Sequence, residues 1–334
     1  MTDVVVVGAG PVGLACAIEA KRRGLSVIIV EKGALVNSLL GYPSRMEFFS
    51  TPSLMEVGDH PFSTRAYKPS REDGIEYYRG VAVAEELDIR FYTRVVGIEG
   101  EKDGFSVVTE SGSISCKNVI VAVGFFDVPN MMSVPGEDLP HVKHYYKEPY
   151  PFANQNVTVI GGKNSAAKAA LDCYRHGAKV TMIVRESEFS DSVKYWIKPD
   201  LLNRIAEGSI DAYFNTTVAE IRRDSVTVNT PNGSLDIPTD WVLAMTGYRP
   251  DYPMLREFGI SIEDDSFLTP SHDSDSFETN RPGVYLAGTV CGGLRTGKWF
   301  IENGRFHATQ IFDHIVHGES QPHDLEDQRW KTAE

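Results

Sequence analysis

The sequence predicts an α/β protein made of two nested three-layer domains. The pattern of apolar strand, glycine-rich turn, helix and second strand occurs twice, about 150 residues apart. Such βαβ units build parallel sheets covered by helices. In addition, 334 residues at ~100–200 residues per domain suffice for two domains, each with its own core.

The first copy of the pattern opens the chain. Val4–Val7 is an apolar strand, and Gly8–Gly13 is the turn that follows it. The helix formers of Leu14–Lys21 predict a helix that ends before Gly24. Val27–Glu31 then predicts the second strand.

The second copy repeats this order. Val157–Ile160 is the strand, Gly161–Ala166 the turn and Ala167–Arg175 the helix. Gly177 ends that helix, and Val180–Arg185 predicts the next strand.

Three later apolar segments end in glycine and are predicted as strands that complete the two sheets. They are Val119–Gly124, Trp241–Gly247 and Gly283–Gly288. A helical stretch from about Trp299 to His317 follows the last of them.

The simplest nesting inserts the second copy into the first. We therefore expect one discontinuous domain from residues 1–124 and 248–334, and another from residues 125–247. The turn-rich stretches Asp127–Asn156 and Gly247–Asp251 are the expected crossings.

The first turn has the spacing of a dinucleotide-binding fingerprint, Gly8-x-Gly10-x-x-Gly13, between a strand and a helix. Gly10 allows a pyrophosphate to approach the backbone, and Glu31 ends the next strand, where a carboxylate can accept both ribose hydroxyls. Because this fingerprint is complete, and because the C-terminal segment completes the domain, we expect FAD here. The two domains are accordingly interpreted as Rossmann-type FAD/NAD(P)-binding domains.

The second turn departs from the fingerprint at one position. It reads Gly161, Lys163 and Ala166, so that lysine replaces the middle glycine. Arg185 stands at the end of the second strand, where a cation suits a ribose 2′-phosphate, and this favours NADPH over NADH. With FAD in the other domain, a hydride would pass from nicotinamide to flavin.

Composition excludes several other classes. The formal charge of −13 opposes a general nucleic-acid or anionic-membrane surface. The apolar runs are strand-sized, and the first begins three residues after Met1, which leaves no room for a signal peptide before it. We therefore expect a cytoplasmic protein without membrane or nucleic-acid partners.

No catalytic residue is identified from the sequence. The four cysteines form no Cys-x-x-Cys pair and no metal-site spacing, so that no metal is expected. Cys16, in the first helix, and Cys291, in a loop of the flavin domain, are weak candidates. His141, His144 and His307 are expected at the surface or an interface.

The chain resembles the thioredoxin-reductase-like flavoproteins over nearly its whole length, and more closely the bacillithiol-disulfide-reductase-like (YpdA-type) family. The segments that carry the resemblance are Val6–Leu14, Met46–Thr51, Gly161–Ala166, Val193–Pro199, Gly283–Gly288 and Phe300–His307. Of these, Met46–Thr51 and Phe300–His307 are the more specific.

The resemblance implies FAD in the first domain, NADPH in the second, a homodimer or homotetramer, and NADPH-dependent reduction of a low-molecular-weight disulfide. Candidate FAD-binding residues are Gly8, Gly10, Pro11, Val12, Gly13, Glu31, Lys32, Phe49, Thr51, Gly124, Gly288, Thr289, Lys298 and Trp299. Candidate NADPH-binding residues are Gly161, Gly162, Lys163, Asn164, Ser165, Arg185 and Gly247.

The chain departs from its relatives at three places. Residues 141–156 contain no cysteine, which excludes the dithiol relay of thioredoxin reductases. Val12 stands where the YpdA-type family places a cysteine, and valine forms no mixed disulfide. Thr289 replaces the aspartate that contacts the ribityl chain in thioredoxin reductases.

Other functions therefore stay open. Reduced flavin could pass electrons singly to ferredoxin, a quinone or oxygen, with Trp330 covering the flavin. The chain could instead be a slow redox sensor. A flavin monooxygenase is disfavoured, because the spacing from Gly136 to His141 is one residue too long for that group.

Overall fold

The computed structural model describes residues 1–318 and shows an α/β protein, so that the predicted fold class is confirmed. Trp330 lies outside the described residues. The strands are β1 (Thr2–Val7), β2 (Val27–Val30), β3 (Ile89–Arg90), β4 (Val95–Glu99), β5 (Phe105–Thr109), β6 (Gly112–Val121), β7 (Val128–Pro129), β8 (Val142–Lys143), β9 (Asn156–Ile160), β10 (Lys179–Ile183), β11 (Ile210–Tyr213), β12 (Thr217–Ile221), β13 (Ser225–Thr230), β14 (Gly233–Pro238), β15 (Trp241–Ala244), β16 (Tyr248–Arg249) and β17 (Val284–Leu286). The helices are α1 (Pro11–Arg22), α2 (Asn37–Gly41), α3 (Arg71–Ala84), α4 (Asn164–Arg175), α5 (Lys198–Ala206), α6 (Tyr252–Glu257), α7 (Ile301–Gly304) and α8 (His307–His317).

The chain divides into two compact units. The first contains Met1–Leu40, Met46–Val128 and residues 248–318, and the second contains Gly41–Arg45 and Pro129–Gly247. These limits differ from the expected ones at two places: residues 41–45, expected in the first domain, lie in the second unit, and residues 125–128, expected in the second domain, lie in the first unit.

Contacts within the second unit explain the placement of residues 41–45. The Ser44 amide donates to the carbonyl of Lys147 at 2.9 Å. The Arg45 guanidinium contacts the hydroxyl of Tyr150 and lies 3.0 Å from Nε2 of His176. These partners lie about a hundred residues or more along the chain, so that no local pattern indicates them.

The first unit contains a parallel sheet with an antiparallel extension. Its order is β3-β2-β1-β6-β5-β4, and β17 also pairs with β6. The ten-residue β6 is antiparallel to β5 over its first half and parallel to β17 at its end. The parallel part is therefore β3-β2-β1-β6-β17, with β1 at its centre and Val4, Val5 and Val6 fully buried.

The second unit repeats this arrangement. Its parallel sheet has the order β11-β10-β9-β15-β8, again with the first strand of the copy, β9, at the centre. A separate antiparallel sheet, β12-β13-β14, corresponds to the extension in the first unit. Each glycine-rich turn thus follows a central strand at the carboxyl edge of a parallel sheet, where α/β proteins bind ligands.

Two helices differ from their predicted extents. Helix α1 begins at Pro11 rather than at Leu14, because proline fits the first position of a helix. The predicted helix from Trp299 to His317 is broken into α7 and α8. At the break, the Phe306 amide donates to the carbonyl of Asn303 at 3.2 Å, three residues back instead of four. None of the helices within residues 1–318 is long and apolar enough to cross a bilayer.

Candidate functional site

The first turn leaves one glycine open and two glycines tightly packed. A Cβ at Gly8, whose φ is +110°, would lie 2.6 Å from the carbonyl oxygen of Ala122. A Cβ at Gly13 would lie 2.0 Å from the carbonyl oxygen of Gly8. Around Gly10, by contrast, no heavy atom of residues 1–318 outside its own chain neighbours comes within 4 Å of a Cβ. The turn therefore has a rigid frame and an open middle position, where a pyrophosphate can meet the N-terminus of α1.

Glu31 connects this turn to the next loop. Its side chain is buried, with Oε2 accepting from the Ala9 amide at 2.8 Å and Oε1 accepting from the Gly33 amide at 2.8 Å. Each carboxylate oxygen keeps a further lone pair for a ribose hydroxyl. The neighbouring Lys32 instead forms an ion pair with Asp127 at 2.6 Å.

Val12 lies at the point where three segments of the first unit meet. Its side chain is buried, and a Cβ at Gly288, whose φ is +80°, would lie 3.1 Å from its Cγ2. A Cβ at Gly304 would lie 3.5 Å from the same atom. Gly288 and Gly304 therefore allow their segments to close on α1, and Val12 acts as packing there.

Two further predicted FAD residues, Gly124 and Thr289, follow the neighbouring strands β6 and β17. A Cβ at Gly124, whose φ is +68°, would lie 3.4 Å from Oγ1 of Thr289. Thr51 precedes a short 3₁₀ helix, Pro52–Met55, and Phe49 is about one-third exposed, at 37%.

The two more specific segments of the sequence, Met46–Thr51 and Phe300–His307, contact each other. The Ser50 hydroxyl donates to Glu302 at 2.5 Å, and the Arg305 guanidinium donates to the carbonyl of Glu56 at 2.5 Å. These bonds fix the loop that contains Phe49 and Thr51 against α7. The two segments are recognisable from their residues, but their contact joins positions about 250 residues apart and is visible only in the fold.

His307 is fully buried, which corrects the expectation of a surface or interface position. Burial holds the pKa of His307 well below its usual range, so that the ring is neutral. Because Nδ1 accepts from the Gly288 amide at 3.1 Å, the proton is on Nε2. The ring stacks on Phe277 at 3.9 Å and is perpendicular to Trp299 at 4.4 Å.

Two buried donors in this cluster have no hydrogen-bond partner within residues 1–318: Nε2 of His307 and Nε1 of Trp299. The carbonyl of the preceding Lys298 accepts from the side chain of Asn303 at 3.0 Å, which holds the start of α7. Unpaired buried donors are rare in native proteins and indicate an absent acceptor or an N–H···π contact. Together with the open Gly10, they fit a bound flavin nucleotide.

The thiols do not fit a catalytic role. All four cysteines are buried and free, and burial raises the pKa of both Cys16 and Cys291. Sγ of Cys291 lies 3.9 Å from Nδ1 of His307, but that nitrogen already accepts from Gly288. Neither thiol has an environment that favours the thiolate needed for nucleophilic attack.

The second turn is built like the first. A Cβ at Gly161, whose φ is +133°, would lie 2.5 Å from the carbonyl oxygen of Met245. Lys163 takes the place of Gly10 immediately before the helix, with extended backbone and an exposed side chain. The exposed Ser165 lies in the first turn of α4. Gly247, with φ +91°, accepts through its carbonyl from the Asn130 amide at 2.9 Å.

Asn164 holds a loop against the second turn. Its Nδ2 donates to the carbonyl of Ser192 at 2.7 Å, and its Oδ1 accepts from the Lys194 amide at 3.0 Å. The loop presents Tyr195, 81% exposed, beside Trp196, with their ring centroids 4.8 Å apart. Asn164, expected as a coenzyme ligand, is therefore hydrogen-bonded within the protein through both its side-chain oxygen and its side-chain nitrogen.

Arg185 and Glu186 lie at the end of β10, beside this turn. Both Nε and Nη2 of Arg185 lie 2.9 Å from Oε1 of Glu186. The arginine side chain is mostly exposed and therefore accessible to a ligand. Glu186 has no part in the sequence-based site.

Comparison with known proteins gives full-length matches. The family model described as pyridine nucleotide-disulphide oxidoreductase matches residues 5–288. Bacilliredoxin reductase Bdr of Bacillus subtilis is 37% identical over 318 residues, which are 95% of this chain and 98% of that protein. A ferredoxin–NADP reductase of Ignicoccus hospitalis is 26% identical over 301 residues, 87% of this chain and 90% of that protein.

Comparison with solved structures gives the same family. Bacillithiol disulfide reductase Bdr (YpdA) from Staphylococcus aureus matches with a TM-score of 0.92 and 36% identity, over 96% of this chain and 99% of that one. Thioredoxin reductase of T. acidophilum shares the fold, with a TM-score of 0.74 and 22% identity, over 94% of this chain and 99% of that one. The matching family implies a flavin and a nicotinamide nucleotide as cofactors. This chain is a member of the pyridine nucleotide-disulphide oxidoreductase family and has the oxidoreductase fold of its thioredoxin-reductase-like branch.

Proposed function

We propose that this protein is an FAD-dependent NADPH oxidoreductase that reduces a low-molecular-weight disulfide, bacillithiol disulfide. In the net reaction one hydride from NADPH and one proton convert one disulfide into two thiols. The observation that carries this proposal is the pair of glycine-rich turns of like construction, one in each unit, in a chain similar over its length to proteins named bacillithiol disulfide reductase.

The first unit supplies what FAD needs. The open Gly10 and the N-terminus of α1 are suited to the pyrophosphate, and the free lone pairs of Glu31 are suited to the ribose. Buried His307 and Trp299 offer donors that no other described residue uses. When bound, the two nucleotides supply hydride transfer between nicotinamide and flavin.

The second unit supplies cations for a phosphorylated dinucleotide. Lys163 precedes α4 and is exposed, and the mostly exposed Arg185 can meet a 2′-phosphate. NADPH is therefore the coenzyme we propose.

The protein contributes no thiol to this reaction. Val12 is packing against Gly288, and each of the four cysteines is buried. We expect that the disulfide is reduced without a mixed disulfide between substrate and protein. Mass spectrometry of the protein quenched during turnover would detect such an adduct if it formed.

The first experiment is anaerobic. Purified protein is reduced with one equivalent of NADPH while the flavin absorbance is recorded, and bacillithiol disulfide is then added. Rapid bleaching followed by recovery on addition of the disulfide supports the proposal. Bleaching that the disulfide does not reverse refutes this substrate.

A second candidate is a reductase that passes electrons to ferredoxin, a quinone or oxygen. The absence of a thiol at Val12 and the full-length similarity to a ferredoxin–NADP reductase favour it. The same reduced protein distinguishes the two, because recovery with ferredoxin or a quinone, but not with the disulfide, indicates electron transfer.

We further propose a homodimer or homotetramer in the cytoplasm. The oligomer rests on the family resemblance, and sedimentation of the purified protein measures it. The cytoplasmic location is supported by four free cysteines, since thiols stay reduced there. Fractionation of cells tests it.

A further inference from the structure

The two nucleotide turns can be compared residue by residue, because the strands around them have the same register. Val7 lies opposite Val30 in the first unit, as Ile160 lies opposite Ile183 in the second. The amide of the first glycine donates to the carbonyl of the opposite residue in both, at 2.8 and 2.9 Å. In the first unit that carbonyl belongs to Val30, and the next residue is Glu31.

In the second unit the corresponding residue is Val184, which is fully buried. Valine cannot accept the hydrogen bonds that Glu31 accepts from the turn and the next loop. The position that usually holds the carboxylate for a ribose is therefore apolar here.

A carboxylate nevertheless reaches this turn from two residues further on. A Cβ at Gly162 would lie 3.6 Å from Oε2 of Glu186 and 2.9 Å from Cγ1 of Val184. The carbonyl of Glu186 accepts from the Asn215 amide at 2.9 Å, which fixes its backbone. Glu186 thus places a negative charge beside the second turn, although Val184, the residue that corresponds to Glu31, carries no charge.

This carboxylate is paired with the cation proposed for the 2′-phosphate. Oε1 of Glu186 accepts from Nε of Arg185 at 2.9 Å, and both side chains are at least half exposed. Partial burial alone would raise the pKa of Glu186, but the hydrogen bond from Arg185 and the charge of Lys163 keep it below its usual value. The pair is therefore ionised at neutral pH and open to a ligand.

We propose that the Arg185–Glu186 pair sets the coenzyme selectivity of this protein, with Glu186 as the residue that moderates the preference for NADPH. The inference rests on the proposed nicotinamide site. A 2′-phosphate, which carries a charge of about −1.5 to −2, is attracted by Arg185 and repelled by Glu186. The 2′-hydroxyl of NADH can instead donate to Glu186. Either coenzyme therefore has to break the ion pair in order to bind one of its two side chains. Because each side chain suits one coenzyme, the site accepts both NADPH and NADH.

Titration calorimetry of the flavin-loaded protein with NADP⁺ and NAD⁺ tests this without turnover. Glu186→Gln removes the like charge and is expected to tighten NADP⁺ binding about threefold to tenfold and to weaken NAD⁺ binding by a similar factor. Arg185→Gln is expected to weaken NADP⁺ binding about tenfold or more and to leave NAD⁺ binding equal or tighter, because Glu186 is then released for the 2′-hydroxyl. Glu188→Gln, at an exposed acid of the same loop, is the matched control.

The outcomes distinguish a failure of this inference from a failure of the proposed nicotinamide site. Opposite shifts for NADP⁺ and NAD⁺ in Glu186→Gln, absent in Glu188→Gln, support the inference. Shifts of the same sign for both coenzymes in Glu186→Gln, or equal shifts in Glu186→Gln and Glu188→Gln, overturn the inference and leave the proposed nicotinamide site intact. A wild-type protein that binds neither coenzyme overturns the proposed site itself and this inference with it.

Discussion

Replacing Glu31 with glutamine removes a charge and one acceptor at the first nucleotide turn while keeping the shape of the side chain. The carboxylate accepts from the amides of Ala9 and Gly33, each at 2.8 Å, in a buried position. Glutamine has one oxygen, so that its amide nitrogen must face one of these two backbone donors. One of the two hydrogen bonds is lost, and the other then has a neutral acceptor instead of a charged one.

The expected cost follows from these two bonds. A hydrogen bond to a charged group contributes about 1.5–3 kcal/mol, and an unsatisfied buried donor costs about 1–3 kcal/mol. We therefore expect Glu31→Gln to lower the free energy of unfolding by about 2–4 kcal/mol. FAD, which would use the remaining lone pairs, should bind about tenfold to a hundredfold more weakly.

Two measurements separate these effects. Thermal unfolding of the flavin-free protein reports the backbone bonds, and fluorescence titration of that protein with FAD reports the ribose contact. Glu99→Gln, at an exposed position of β4, is the control. A Glu31→Gln protein that unfolds at the wild-type temperature would refute the structural part, and unchanged affinity for FAD would refute the cofactor part.

Three further changes have defined outcomes. Gly288→Ala, at φ +80° and 3.1 Å from a side-chain carbon of α1, should lower the free energy of unfolding by about 2–5 kcal/mol in chemical denaturation, whereas Gly10→Ala should change it little. The hydrogen bond from Lys117 lowers the pKa of Asp3 in the folded protein. The pair therefore contributes fully to the free energy of unfolding above the pKa that Asp3 has in the unfolded chain, and this contribution is lost as the pH falls. The difference in melting temperature between wild type and Asp3→Asn should therefore shrink from pH 7 to pH 3, and a constant difference would contradict this. Cys16→Ser should keep its rate of flavin reoxidation by disulfide, and native Cys16 should resist alkylation at pH 8; a tenfold slower rate would restore it as a catalytic candidate.

Local pattern was sufficient for the fold class. The strand, turn and helix around Gly8 and Gly161 are each specified within about thirty consecutive residues, by apolar runs, glycine spacing and helix formers. The structure also places Glu31 at the first turn, as the spacing indicated. Its direct bonds to Ala9 and Gly33 could not be predicted, since they depend on side-chain rotamers and loop closure.

Other features depend on contacts between residues far apart in sequence. His307 was expected at the surface or an interface, but it is buried because Phe277 and Trp299 pack against its ring. The Gly288 amide fixes its tautomer. The break before it in the predicted helix is likewise a tertiary feature, since Arg305 reaches the loop carbonyl of Glu56 there.

The sequence by itself determined the two nucleotide-binding turns, their order along the chain and the absence of a Cys-x-x-Cys pair, because composition and short-range spacing specify these directly. The tertiary structure alone decided that Glu186 returns a carboxylate to the second turn, where Val184 stands at the position of Glu31. Register between strands and the direction of side chains depend on packing across the sheet, and one residue of shift reverses which side chain faces the ligand.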